Sequence, residues 1–214
     1  MEARLLKHID TLIERYPKLH ICKDDIIKAY EILEKAYESG RKLLVCGNGG
    51  SASDSEHIVG ELMKEFKLKR KVYADQAEAM MSIDSEMGAQ LAENLQGALP
   101  AICLTGHSAL TTAFMNDANA DLVFAQQVNG YGKENDVFLG ISTSGNSKNV
   151  CYAAITAKAK GLKVIGLTGT RESKMSRLGD CCIRVPETET YKIQELHLPV
   201  YHCLCMMLED KFFG

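Results

Sequence analysis

The sequence lacks the marks of several protein classes. No stretch of its 214 residues reaches the roughly 18–20 consecutive apolar residues that a membrane helix needs. The opening MEARLLKHID has acidic residues where a signal peptide would have an apolar core. Excess positive charge is missing too. The formal net charge is -3, so there is no global basic signature of nucleic-acid binding. No two of the eight cysteines are spaced Cys-x-x-Cys. The glycine-rich turns follow neither G-x-G-x-x-G nor the P-loop pattern, so a nucleotide is not the expected ligand.

What is present is ordinary for one soluble domain with a sizeable core: 46% hydrophobic and 25% charged residues. Most cysteines sit in apolar runs such as LLVCG, AICLT and HCLCMML. They read as buried free thiols in a reducing cytoplasm. A cysteine-based zinc site around HCLC is the weaker reading, because those residues also fit the buried face of a helix.

The first forty residues read as two helices. Leu5, Ile9, Leu12 and Ile13 keep a helical spacing up to Pro17, and Ile26 to Ala36 repeat it up to Ser39-Gly40. Five short apolar runs then alternate with helical segments: KLLVCG, LPAICLT, DVFLGIST, LKVIGLTG and CCIRVP. That alternation implies right-handed βαβ crossovers and a parallel sheet covered on both faces. Ligands of such sheets bind beyond the carboxyl ends of the strands, where GNGGS and STSGNS both fall. One stretch interrupts the alternation. Between residues 67 and 98, Ile83, Met87, Leu91 and Leu95 repeat every four residues, which predicts one inserted amphipathic helix. The basic run Lys67, Lys69, Arg70 and Lys71 reads as a solvated charged loop before it reads as an anion contact.

GNGGS, ahead of a helix, suits an anion, since glycines let backbone N–H groups approach and the helix N-terminus adds positive charge. A plain tight turn is the alternative. STSGNS repeats the arrangement with the hydroxyls of Ser142, Thr143, Ser144 and Ser147, although Ser144 or Ser147 would also serve as a helix cap. Two such loops on one sheet edge favour a phosphorylated ligand. His57 and Glu61, four residues apart, share a helix face that begins at the first loop, and suit metal binding, proton transfer or a surface hydrogen bond. Gln194, Glu195, His197 and His202 lie on an otherwise apolar helix and need partners if buried. Pro199 between them favours a kink.

The segments CGNGGSASDSEHIVGEL, FMNDAN, DVFLGISTSGNSKNV, KVIGLTG and KIQELHLPVYH, in this order, resemble the sugar isomerase (SIS) domain, and most of all its phosphoheptose isomerase branch. The resemblance covers nearly the whole chain, 1–214, as a single domain, apart from the insert. It implies a three-layer α/β/α fold with a five-stranded parallel, flavodoxin-like sheet and N-terminal helices. It also implies a cytoplasmic homotetramer with active sites between subunits, acting on a phosphorylated sugar, with no nucleic-acid or membrane partner. Asn48, Gly49, Gly50, Ser51, Asn116, Asp117 and Gln194 would then contact the sugar phosphate. Ser142, Thr143, Ser144 and Ser147 would hold its phosphate, Glu61 and His202 would be the acid/base pair, and His57, Glu61, Gln194 and His202 would bind zinc. No nucleotide or redox cofactor is implied. The expected activity is aldose–ketose isomerisation of sedoheptulose 7-phosphate for heptose biosynthesis. Isomerisation of another phosphosugar is the alternative, as is a non-catalytic relative that binds a replication-initiation protein. In those relatives the second histidine is lost, whereas His202 is present here. Tyr191 stands where the branch often has an acidic residue, which leaves contacts to the distal hydroxyls open.

Overall fold

A computed structural model describes residues 2–214. The helices α1 (Ala3–Arg15) and α2 (Lys23–Glu38) flank a 3₁₀ turn that starts at Pro17. The strands are β1 (Leu43–Cys46), β2 (Ala101–Cys103), β3 (Val137–Ile141), β4 (Lys163–Gly169) and β5 (Cys181–Val185). They form one parallel sheet in the order β2-β1-β3-β4-β5. The order reverses between β1 and β3, and in open sheets the ligand crevice lies at such a reversal.

Successive strand residues point to opposite faces, and the chain supplies an apolar side chain for each. Leu43, Val45, Leu139, Ile165 and Ile183 pack with α1, α2 and the long α10 (Thr190–Phe213). Leu44, Cys46, Phe138 and Val164 pack on the other face, with α7 (Val123–Tyr131), α8 (Lys148–Ala159) and α9 (Lys174–Leu178). This is the three-layer architecture that the alternating runs predict. The sequence pattern assigns no element to Val123–Tyr131, where the structure forms α7. All eight cysteines are free thiols. Among the described residues no helix is long and apolar enough to cross a membrane.

The insert differs from the expected single helix. It is a pair, α4 (Ala74–Ile83) and α5 (Ser85–Asn94). Asp84 breaks the run in extended conformation, and its carboxylate accepts from the N–H groups of Glu86 and Met87, capping α5. The apolar repeat is not core, since Ile83 is 87% exposed and Met87 62%. The basic run also divides. Arg70 is 2% exposed and pairs with Glu209, while Lys67, Lys69 and Lys71 face solvent.

The helix α10 passes through Pro199 as one element. Its His197 is fully buried, and burial pushes the imidazole down to about 4, opposed by the Thr168 backbone. The unfolded chain therefore takes up this proton near 6.5 while the folded chain refuses it until about 4. Stability is expected to fall as pH drops through that window, by roughly 3 kcal/mol from this group. Denaturant titrations at several pH values between 7.5 and 4 would show it. His197→Asn should lose about one proton's worth of the pH slope, and an unchanged slope would assign the acid sensitivity elsewhere.

Candidate active site

Between β1 and α3 (Gly50–Met63) lies the GNGGS loop, and between β3 and α8 lies STSGNS. The two strands are neighbours, with Cys46 opposite Gly140, so the loops share the carboxyl edge of the sheet. Asn48 and Asn149 tie them together, each amide N–H donating to the other's oxygen at 2.9 Å. Neither helix is capped by a side chain: Gly49 precedes α3, and Ser147 precedes α8 without a capping bond. In the first turns, Ser51 and Ala52 already donate to the carbonyls of Asn48 and Gly49, and Val150 to Asn149 Oδ1, which leaves the N–H groups of Gly50, Lys148 and Asn149 for an anion. The Ser147 hydroxyl lies 3.0 Å from that of Ser142 instead. Ser144 accepts from the Asn146 N–H at 3.2 Å, which shapes the turn and caps no helix. Gly145 holds φ at 64°, and a Cβ there would stand 2.1 Å from the Ser173 hydroxyl. Thr143, Ser144, Asn146 and Arg171 line a cleft of 310 Å³ beside this loop.

The helix that starts at GNGGS carries Ser51, buried in its first turn, and then His57 and Glu61. His57 Nε2 lies 3.0 Å from Glu61 Oε1. From α10, His202 sets its ring perpendicular to that of His57 with ring centres 5.0 Å apart, and Phe66 packs beside it. Glu61 Oε2 and His202 Nε2 are buried without a hydrogen-bond partner. Orphaned polar atoms of this kind are costly, so they mark where a ligand's polar atoms would be received. Burial, and next the neighbouring His57, hold the His202 imidazole below its ordinary range, with Glu61 opposing. His202 is therefore uncharged at neutral pH and can take up a proton. It also lines a cavity of 650 Å³ between α1 and α10, which Lys7, Arg15 and Lys67 make basic.

The structure brings some predicted residues together and leaves others apart. Gln194 packs on the first turn of α3, where a Cβ at Gly50 would stand 2.4 Å from its amide nitrogen. Among the described residues no hydrogen bond joins Gln194 to His57, Glu61 or His202. Asn116 and Asp117, at the end of α6 (Ser108–Asp117), are exposed and bond to each other at 2.8 Å. Tyr191 is 57% exposed at the start of α10. No group of three or more His, Cys, Asp or Glu side chains among the described residues is arranged to hold a metal ion. The donor chemistry nevertheless fits a borderline divalent ion: two imidazoles, a carboxylate with one oxygen free, and the Gln194 amide. Three residues escaped the sequence pattern. Asp54 and Tyr201 form a hydrogen-bond chain to His57, and Asn149 braces Asn48. Asp54 precedes His57 by three residues and so shares its helix face, which is the one local signal.

Known proteins resemble this chain in sequence and in fold. The SIS domain family model matches residues 8–97 and 77–169. The chain is 35% identical to the phosphoheptose isomerase of Rhodospirillum rubrum over 98% of both chains. Its structure is similar to that of the phosphoheptose isomerase from Neisseria gonorrhoeae, with a TM-score of 0.73 and 30% identity over 97% of both chains. It is also similar to that from Francisella tularensis, with a TM-score of 0.75 and 30% identity over 98% of this chain and 100% of the other.

Proposed function

The chain belongs to the SIS domain family, among its phosphoheptose isomerases, and we propose that it interconverts sedoheptulose 7-phosphate and D-glycero-D-manno-heptose 7-phosphate for heptose biosynthesis. One observation carries the reading. The helix that begins at an anion-type loop also delivers Glu61, whose free carboxylate oxygen is buried near the unpartnered Nε2 of His202. One end of the site thus suits phosphate and the other suits proton transfer.

Ketose-to-aldose conversion removes a proton at C1, passes through an enediol and returns a proton at C2. Glu61 Oε2 takes and returns the carbon-bound proton. Neutral His202 exchanges protons with the substrate oxygens. Ser142, Thr143, Ser144, Ser147 and the N–H groups of Lys148 and Asn149 at the start of α8 hold the phosphate, and Asn48 to Ser51 orient the sugar. His57, Glu61, Gln194 and His202 would hold a zinc ion, which when bound supplies polarisation of the substrate carbonyl. The Nε2 atom of His202 has a single lone pair, so it would serve as a ligand in the metal-loaded site and as the proton acceptor in the metal-free one, while Glu61 Oε2 takes the carbon-bound proton in both.

A homotetramer with sites between subunits is part of the reading. It is supported by the openness of the single chain: the His57 side chain is 43% exposed, and Asn116 and Asp117 stand apart from the cluster. Light scattering would test the assembly. A cytoplasmic location is supported by the eight free thiols.

Ser144→Ala and Ser147→Ala are expected to raise KM well before they lower kcat, because these hydroxyls meet the non-reacting phosphate. Steady-state kinetics would contradict this if kcat alone fell. The chemistry itself is tested in deuterated water. An enediol route carries solvent deuterium onto C2 of the aldose, whereas a hydride shift leaves C2 unlabelled.

A further inference from the structure

We infer that Asp54 and Tyr201 are positioning residues that lock His57 with its proton on Nδ1, so that the Nε2 lone pair faces Glu61 and the metal-binding side of the site. This deepens the reading above and rests on His57 being a ligand. Tyr201 is 2% exposed and has one hydroxyl proton, which it donates to Asp54 Oδ1 at 3.2 Å. The same hydroxyl lies 3.0 Å from His57 Nδ1. With its proton committed to Asp54, the hydroxyl oxygen can only accept there, and Nδ1 must donate. The Nε2 atom then presents a lone pair 3.0 Å from Glu61 Oε1. Two acceptors face each other at hydrogen-bond distance, an arrangement that a shared cation satisfies. Asp54 anchors the chain in turn, being a carboxylate on α3 one helical turn before His57. The device spans two elements, α3 and α10, so it also orients the His57 ring against that of His202, next in sequence to Tyr201.

Outer partners that orient a ligating histidine are worth about 10- to 100-fold in metal affinity. Tyr201→Phe keeps the ring, with its centre 5.6 Å from that of His57, and removes only the hydroxyl. The test is the zinc dissociation constant of the purified full chain by chelator competition, with nitrogen-15 NMR of the histidine rings in metal-free protein. A tenfold or greater loss of zinc affinity in Tyr201→Phe is expected, together with loss of the Nδ1–H form that wild type should show. Asp54→Ala should reproduce both effects and Asp54→Asn, which keeps an acceptor, should restore part. Melting curves identify any variant that fails to fold, and the NMR signature of the folded variants then decides. Zinc affinity within twofold of wild type and an unchanged His57 tautomer in Tyr201→Phe would overturn the inference. If wild type takes up no divalent ion, the metal reading falls, and the tautomer comparison alone still supports or overturns the Asp54–Tyr201 relay.

Discussion

Glu61→Gln is expected to cut turnover by about 10²- to 10⁴-fold, the usual cost of losing a general acid or base. The substitution keeps the side-chain shape, and the Gln amide can still meet His57 Nε2. It removes the carboxylate whose Oε2 is buried and unpartnered. His202→Asn should act similarly, since it replaces an imidazole that burial and His57 keep ready to accept a proton. Both variants should fold, as neither residue carries the core. Rates within a few-fold of wild type in both would remove the acid/base assignment, while a loss in only one would assign the proton transfer to that residue.

The largest expected loss of stability follows Arg70→Met. The guanidinium is fully buried and bonds to Glu209 at 2.8 Å, to the carbonyls of Glu61 and Leu62 at 2.8 Å each, and lies over the Phe213 ring. Glu209 also accepts from the N–H groups of Phe66 and Lys67. Burial alone would raise the Glu209 carboxyl, and these bonds with Arg70 hold it below its ordinary value instead. Removing one member leaves a buried charge without its counter-ion, which costs about 3–5 kcal/mol. For a chain of this size that is a fall in Tm of about 10 °C. The double variant Arg70→Met with Glu209→Leu should recover part of the loss, because replacing a buried pair by apolar side chains is often neutral. A Tm within about 2 °C of wild type for the single variant would show the pair to be dispensable. The pair also links the end of the helix bearing Glu61 to the helix bearing His202, so activity should fall with stability.

The sheet was legible because burial on both faces demands apolar side chains along the central strands, and runs such as LLVC and VFLGI answer that demand directly. The loops were legible because glycine and serine ahead of a helix expose N–H groups to a ligand. The Arg70 pairing was not, since its carboxylate lies 139 residues away and three lysines around it disguise the one buried cation. The insert misled through its i,i+4 apolar spacing. A helix period says which residues share a face and does not say whether anything covers that face. The Asp54–Tyr201–His57 chain was hidden for a related reason. Tyr201 sits in an apolar helix where its ring accounts for its presence, and only the fold shows where the hydroxyl points. Asn116 and Asp117 came from resemblance alone, and the single chain leaves them exposed and apart from His57 and Glu61.

The central claim is that the two loops and the Glu61–His202 pair serve one phosphorylated ketose. It is tested most directly by incubating the purified protein with sedoheptulose 7-phosphate beside shorter ketose phosphates and following products by proton and phosphorus NMR. The account predicts growth of the heptose 7-phosphate aldose signals at a rate well above that for the shorter sugars, abolished in Glu61→Gln. No conversion of the seven-carbon sugar by folded protein, with or without added zinc, would contradict it.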